Sequence, residues 1–163
     1  MNWIFRDNIN TDLITPGRYN ITTDPKELAK IAFIEHRPEF AKNVKQGDFV
    51  IGGNNFGCGS SRETAVTALS ACGIKAIIAK SFARIFYRNC MNQGTLAIVT
   101  DIKNIDETDE LVIDFKTQKI INKTKNIHIS ASMPTLMIKL YEEGGIIAYL
   151  QKNGLDSGKT LFK

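Results

Sequence analysis

The order of apolar and polar positions along this 163-residue chain predicts strands and helices in alternation. Short, almost continuous apolar runs are typical of buried strands, and apolar residues at helical spacing follow two of these runs. The predicted strands are Asp48–Ile51, Lys75–Ala79 and Leu96–Val99. The helices between them cover Ala65–Cys72 and Phe82–Asn92. This order favours an α/β core with parallel strands.

A different pattern follows Asp106, because apolar and polar residues then alternate in three short stretches. Such alternation predicts a β-hairpin or meander. The three stretches are Leu111–Phe115, Ile120–Asn122 and Ile127–Ser130. Two helices follow, from Pro134 to about Glu143 and from Ile146 to Lys152. We therefore expect one α/β domain over residues 1–163, with mostly parallel core strands, a small additional β layer and a loosely held tail at 154–163.

The N-terminal segment begins with a short apolar stretch, Trp3–Phe5. Asp7–Gly17, which ends in a Pro-Gly pair, is predicted to be a loop that exposes its side chains. Asp24 before Pro25 is typical of a helix start, with the aspartate as N-cap and the proline in the first turn. This pair predicts a helix that continues to about Ile34.

Composition and charge narrow the possible classes of function. The net charge is +4, but the lysines are scattered and form no dense stripe with interleaved aromatic residues, as nucleic-acid binding would favour. An anionic small molecule, an acidic partner or an ordinary solvated basic face all fit this charge. No apolar run approaches the roughly 20 residues of a membrane span, and the N-terminus lacks the apolar core of a signal peptide. We therefore expect a soluble, cytoplasmic protein.

The cysteine and histidine positions match no metal-site spacing. Cys58, Cys72 and Cys90 form no CxxC pair, and the only histidines are His36 and His128. No metal ligands are therefore expected in this chain. An odd number of cysteines without framework spacing favours a reducing compartment.

The glycine-rich segment Gly57–Glu63 joins a predicted strand to a predicted helix. Backbone N–H groups at a helix N-terminus are free and partly positive, and glycines let a ligand approach the backbone. Ser60 and Ser61 add hydroxyl groups, and Arg62 can bind a carboxylate through two parallel hydrogen bonds. The segment therefore predicts an anion site. One alternative stays open, because Ser60 and Glu63 also form a capping box in which the serine only caps the helix.

Other loop motifs fail at individual residues. A P-loop would need a lysine after its last glycine, a dinucleotide-binding loop would need glycine at Arg62, and a nucleophile elbow would need glycine at Glu63. A Cys58 nucleophile would need His36 or His128 as its base. No sequence motif connects either histidine to the loop.

Four stretches resemble the swivelling domain of the aconitase superfamily: Asn54–Glu63, Ala79–Asn89, Asn10–Asp12 and Ile14–Pro16. The likeness covers roughly residues 5–150 and is greatest to the separate small subunits of 3-isopropylmalate dehydratases. It implies a compact swivelling β/β/α domain. It also implies a hydro-lyase of leucine biosynthesis that interconverts 2-isopropylmalate and 3-isopropylmalate by dehydration and rehydration. Dimethylmalate, citramalate and homoaconitate remain alternative substrates.

The resemblance implies roles for residues around the glycine-rich loop. Ser60 would be the base that removes the proton next to a substrate carboxylate, and Asp12 would be a second catalytic residue. Ser61 and Arg62 would bind a substrate carboxylate. A serine hydroxyl is a weak base at neutral pH, and the helix N-terminus and Arg62 would supply only about a few kcal/mol toward its ionisation. The substrate complex and the cofactor must therefore contribute the rest.

The resemblance further implies that residues 16–22 contact the variable side group of the substrate, through Arg18, Tyr19 and Ile21. Relatives that act on a third carboxylate are similar here but have arginine where this chain has Ile21. An isoleucine cannot pair with a carboxylate, so it favours an apolar side group. Ile21 would serve only to pack the loop against the domain in the alternative interpretation.

A partner subunit is the last implication of the resemblance. A [4Fe-4S] cluster is expected on a large subunit, with no cofactor bound by this chain, and the chain alone is expected to be inactive. Two other classes remain: a stand-alone module that binds small dicarboxylates, and a self-sufficient hydrolase that uses Ser60 or Cys58.

Overall fold

The computed structural model describes residues 1–161, except the side chain of Thr160, as one seven-stranded mixed sheet with helices packed against it. The strands are β1 (Asn2–Ile4), β2 (Phe49–Gly52), β3 (Ala76–Ala79), β4 (Ala97–Thr100), β5 (Leu111–Asp114), β6 (Lys119–Asn122) and β7 (Ile127–Ser132). The helices are α1 (Thr11–Ile14), α2 (Pro25–Lys30), α3 (Glu39–Asn43), α4 (Glu63–Ala71), α5 (Arg84–Gln93), α6 (Thr135–Glu143), α7 (Ile146–Asn153) and α8 (Gly158–Leu161). A 3₁₀ turn covers Leu155–Ser157.

The parallel half of the sheet consists of β1 to β4 in that spatial order. Every residue of β2 and β3 is buried, which explains why these strands read as continuous apolar runs rather than as alternating patterns. The predicted strand–helix–strand order is confirmed. The chain leaves β2 at Gly52 and reaches the glycine-rich loop after residues 53–56, so the parallel half of the sheet lies at the start of that loop.

The expected additional β layer continues this same sheet. β7 pairs antiparallel with β4, through Val99 opposite Ser132, and β6 and β5 follow it outward. The residues of β7 alternate in burial, as the sequence pattern predicts for a strand with one covered face. This half therefore extends the sheet on the side away from the glycine-rich loop.

Two features of the N-terminal region differ from the sequence prediction. The segment predicted as an exposed loop contains α1, in which Thr11 and Ile14 are buried, and Asn10 caps this helix by accepting a hydrogen bond from the Leu13 backbone N–H at 2.8 Å. Helix α2 starts as predicted, with the Asp24 side chain accepting from two backbone N–H groups, but it ends at Lys30. Phe33 adopts a φ of +56°, which no continuing α-helix allows.

The tail lies against α7 where it is described. Gly158 approaches a side-chain carbon of Leu150, since a Cβ added at Gly158 would lie 3.2 Å from it. Phe162 and Lys163 lie outside the described residues, so the expected loose tail stays a prediction. None of the helices within residues 1–161 is long and apolar enough to span a lipid bilayer.

Candidate functional site

The glycine-rich loop lies directly over an aromatic cluster formed by Phe56, Phe82 and Phe86. The ring of Phe56 contacts the rings of Phe82 and Phe86 edge to face, with centroid distances of 6.0 and 5.5 Å. Gly57 has a φ of +78°, and a Cβ there would lie 2.0 Å from the Phe86 ring. Only glycine satisfies both the backbone angle and this approach. The loop is therefore fixed against α5.

A second segment, Ile9–Thr11, runs beside the loop and is joined to it through the backbone. The Gly57 N–H donates to the Ile9 carbonyl at 2.7 Å, and the Thr11 N–H donates to the Cys58 carbonyl at 2.8 Å. Asn10 and Cys58 form an isolated parallel bridge. These bonds bring two segments about 50 positions apart in sequence into one site.

Ser60 is exposed and lies in this site, next to the buried Thr11. The Thr11 hydroxyl donates to the Ser60 carbonyl at 2.9 Å, and the two hydroxyl oxygens lie 3.4 Å apart. The capping-box alternative is wrong, because α4 begins at Glu63 with Arg62 as its N-cap and no side chain caps it. Ser60 lies two residues before that N-cap, and its hydroxyl is therefore not used by the helix.

Arg62 is held by Asp12 and by the backbone of α1. Its Nη1 donates to Asp12 Oδ1 at 2.5 Å and to the Thr15 carbonyl at 2.8 Å. Within residues 1–161, no group accepts a hydrogen bond from its Nε or Nη2. The Nε–Nη2 edge of a guanidinium is one that binds a carboxylate through two bonds. Arg62 is therefore oriented by the protein and keeps a carboxylate-binding edge.

Asp12 is ionised in this arrangement. The hydrogen bond from Arg62, followed by that from the Gly17 backbone N–H at 3.0 Å, lowers the pKa of the Asp12 carboxyl below its usual 3.8.

Ser61, next to Arg62, is exposed. The structure therefore brings Asp12, Ser60, Ser61 and Arg62 to one surface.

The loop of residues 16–22 contains the other three predicted site residues, Arg18, Tyr19 and Ile21. Arg18 forms an ion pair with Glu35, which raises the pKa of the Arg18 guanidinium further, and it lies 5.1 Å from the ring centre of Tyr19. Ile21 is 89% exposed, so the alternative in which it packs the loop against the domain is wrong for this structure. No described contact joins Arg18, Tyr19 or Ile21 to Ser60.

The Oδ1 atom of Asn20 is buried and accepts no hydrogen bond within the described chain. The loop thus presents the Ile21 side chain to solvent and turns one polar atom, of Asn20, inward.

A cleft of about 570 Å³ opens beside Ser60 and extends to the start of α5. Its wall on that side includes the exposed residues Arg84, Ile85 and Arg88. Neither arginine side chain forms an ion pair or hydrogen bond with any group in residues 1–161. A second cavity, of about 580 Å³, shares both arginines and continues between α5 and α6 past Met91 and Leu140.

The two arginines were not identified as site residues from the sequence, although they lie in the Ala79–Asn89 stretch. The available signal was their spacing of four residues in a predicted helix, which places both on one face. This face borders the glycine-rich loop because of the way α5 packs, and the spacing of the two arginines does not predict that packing.

The residues needed for a cysteine or serine hydrolase are not assembled at the loop. His36 lies near the rings of Phe5 and Phe33, and His128 is exposed on β7 opposite Ile121. Neither histidine has a described contact with Cys58 or Ser60. Burial raises the pKa of the Cys72 thiol to about 12, and it also raises that of Cys90. Within residues 1–161, no three His, Cys, Asp or Glu residues are grouped to hold a metal ion.

Known proteins are similar to this chain in sequence and in fold. The sequence profile of a family described as "Aconitase C-terminal domain" matches residues 1–103. The chain is 46% identical over 154 residues to 3-isopropylmalate dehydratase small subunit 2 of Archaeoglobus fulgidus, covering 93% of each. It is 46% identical over 156 residues to a methanogen homoaconitase small subunit of Methanocaldococcus jannaschii, covering 95% of this chain and 92% of that one.

A crystal structure of 3-isopropylmalate dehydratase from Methanocaldococcus jannaschii matches the chain with a TM-score of 0.90 and 44% sequence identity. The match covers 98% of this chain and 96% of that one. This agreement over almost the whole length confirms the mixed α/β fold.

Proposed function

Since the chain belongs to the aconitase C-terminal domain family, we propose that it is the small subunit of a hydro-lyase that interconverts 2-isopropylmalate and 3-isopropylmalate. The observation that carries the proposal is the joint placement of Ser60, Arg62 and Asp12 on one exposed rim. Arg62 offers two free donors to an anion, and Ser60 offers a hydroxyl that the fold does not use as a cap. A carboxylate bound to Arg62 would place its neighbouring C–H bond near Ser60.

In this proposal Ser60, ionised to the alkoxide, acts as the base. The substrate C–H bond breaks, its proton forms an O–H bond on Ser60 Oγ, and its electron pair forms the double bond as the hydroxyl group leaves the adjacent carbon as hydroxide with the electron pair of its C–O bond. Arg62 and Ser61 hold the carboxylate next to the reacting carbon. Asp12 keeps Arg62 in place and stays ionised throughout the neutral range. Rehydration of the double bond at the other carbon completes the isomerisation.

We further propose that the active site is completed by a large subunit. The [4Fe-4S] cluster expected there would bind the substrate hydroxyl and a carboxylate, which assists departure of the hydroxyl. Support from this chain comes from its cleft, where Arg84 and Arg88 stand one helical turn apart without acidic partners in residues 1–161. An acidic surface of the partner would pair with them when the two subunits close over Ser60.

An apolar side group is the proposed specificity. Ile21 is free to contact a substrate, because almost all of its surface is exposed. Arg18, the cation of residues 16–22, is paired with Glu35. The named relative from Methanocaldococcus jannaschii supports a second candidate, homoaconitate, since that protein is a homoaconitase small subunit. Isopropylmalate comes first, a smaller methylated malate second and homoaconitate last.

The test is to express the chain with and without a cluster-bearing large subunit and to assay interconversion of the two isopropylmalates. We expect turnover only from the assembled pair. Dicarboxylate binding by the chain alone, measured by calorimetry, with no turnover after assembly, would favour the binding module instead. Ester hydrolysis by the chain alone that disappears in Ser60→Ala would favour the hydrolase.

A further inference from the structure

Thr11 is a buried threonine whose hydroxyl lies against Ser60. Only 2% of Thr11 is exposed, and its backbone N–H is already bound to the Cys58 carbonyl. The side chain of Thr11, the first residue of α1, is thus held against the glycine-rich loop. A Cβ added at Gly59 would lie 3.5 Å from the Thr11 hydroxyl oxygen, so the loop backbone passes close to this residue as well.

The number of protons on the two hydroxyl groups decides the direction of their hydrogen bonds. A threonine hydroxyl has one proton and accepts through its lone pairs. The Ser60 carbonyl can only accept, so Thr11 donates its proton there, at 2.9 Å. At the longer contact, 3.4 Å between the two hydroxyl oxygens, the neutral Ser60 must therefore be the donor. This points the Ser60 proton at Thr11 and leaves the Ser60 lone pairs for a group in the cleft.

We propose that Thr11 is a positioning residue for Ser60, which fixes the backbone of the serine and orients its hydroxyl for proton transfer. This inference rests on the proposed function, in which Ser60 is the base. When Ser60 is ionised, Thr11 can turn its proton from the carbonyl to the alkoxide. It thereby exchanges a neutral hydrogen bond for a charge-assisted one, which is the stronger kind.

The experiment compares Thr11→Val and Thr11→Ser in the enzyme reconstituted with its large subunit. Thr11→Val keeps the shape and removes the hydroxyl. We expect kcat to fall roughly tenfold to a hundredfold, the range for a lost charge-assisted hydrogen bond, with little change in KM. The rising limb of the pH profile of kcat should move to higher pH, because an alkoxide without its donor forms less readily. Thr11→Ser keeps the hydroxyl and should restore most of kcat.

A matched control is Thr100→Val, because Thr100 is also buried and its hydroxyl also donates to a carbonyl, that of Ser130, at 2.6 Å. It lies on β4, outside the site, and kcat and KM should not change. Melting curves and co-purification with the large subunit report folding for every variant. If Thr11→Val does not fold, Thr11→Ala removes the same hydroxyl with a smaller side chain. Loss of kcat in a folded Thr11→Ser would overturn the proposal.

A double-mutant comparison separates this proposal from the proposed function. If Thr11 acts through Ser60, adding Thr11→Val to Ser60→Ala should not lower the residual turnover further. An additive loss would overturn the positioning role. Full activity in Ser60→Ala would instead reject Ser60 as the base. An inactive Ser60→Ala beside a fully active Thr11→Val would reject only the role of Thr11.

Discussion

Asp12 and Arg62, 50 positions apart in the sequence, form an ion pair at 2.5 Å that orients the guanidinium. The pair is partly exposed, with 27% of the Arg62 side chain and 62% of the Asp12 side chain accessible. Exposed pairs contribute little to stability. In the proposed function the geometry serves binding, because Nη1 is occupied by the protein while Nε and Nη2 have no acceptor within residues 1–161.

Replacing Arg62 by lysine should reduce substrate affinity more than stability. Lysine keeps the charge but cannot bind Asp12, the Thr15 carbonyl and a substrate carboxylate with the planar geometry of a guanidinium. We expect KM of the reconstituted enzyme to rise roughly tenfold to a hundredfold, as for loss of a charge-assisted hydrogen bond. Steady-state kinetics and melting curves check both parts. An unchanged KM and kcat would contradict the role of Arg62 as a carboxylate clamp.

The pKa of Asp12 predicts the pH dependence of the Asp12→Asn variant. The pKa of Asp12 in the folded protein lies below the usual 3.8. The ionised pair therefore contributes its stability in full at pH values above 3.8. This contribution is lost as the pH falls through the folded pKa. The melting temperatures of wild type and Asp12→Asn should therefore differ slightly at neutral pH and converge below pH 3.8. A difference that persists in acid would mean that Asp12 acts through its shape and not its charge.

Ser60→Ala should abolish most turnover and leave the fold intact. Since Ser60 does not cap α4, its removal should change the free energy of unfolding by no more than about 0.5 kcal/mol, as for ordinary surface substitutions. Assembly with the large subunit, measured by gel filtration, should be unchanged. The adjacent Ser61→Ala is the control for a hydroxyl lost from the same loop, and it should affect KM rather than kcat. Most of the wild-type activity in Ser60→Ala would make Ser61 the candidate base.

Ile21→Arg should introduce activity on a substrate with a third carboxylate. The side chain is exposed, so the arginine can be accommodated without a change in the core, and its charge would pair with the added carboxylate. We expect kcat/KM for homoaconitate to rise and that for isopropylmalate to fall by roughly tenfold, the effect of losing about one to two methyl contacts. The Ile21→Leu variant is the apolar control. A wild-type preference for the tricarboxylate would contradict the role of Ile21.

Charge reversal at Arg84 and Arg88 should weaken assembly. Both side chains lack partners in residues 1–161, so glutamate at either position leaves the fold unchanged but repels an acidic partner surface. We expect the Kd for the large subunit to rise with each substitution, and the wild-type Kd to rise with salt concentration. Lys116→Glu, in the turn between β5 and β6, is a control of the same charge change at the other half of the sheet. Equal effects from all three variants would exclude a specific contact.

Local patterns in the sequence were sufficient for most of the secondary structure. Buried parallel strands need apolar side chains on both faces, so β2 and β3 can be recognised in the sequence as continuous apolar runs. The start of α2 at Asp24 and Pro25 is equally local, because capping involves only neighbouring backbone groups. The glycine-rich loop and its candidate anion-binding residues were also recognised from neighbouring residues in the sequence.

Contacts between distant segments were decided only by the tertiary structure. A capping box at Ser60 and Glu63 fits the sequence, yet the backbone begins its helix later and leaves Ser60 facing Thr11. The charge of Arg18 would suit a substrate carboxylate, but in the structure Arg18 forms an ion pair with Glu35. The sequence alone determined which chemical groups are available. Their distances follow from strand order, backbone bridges and helix packing, which arise from interactions between residues far apart in the chain.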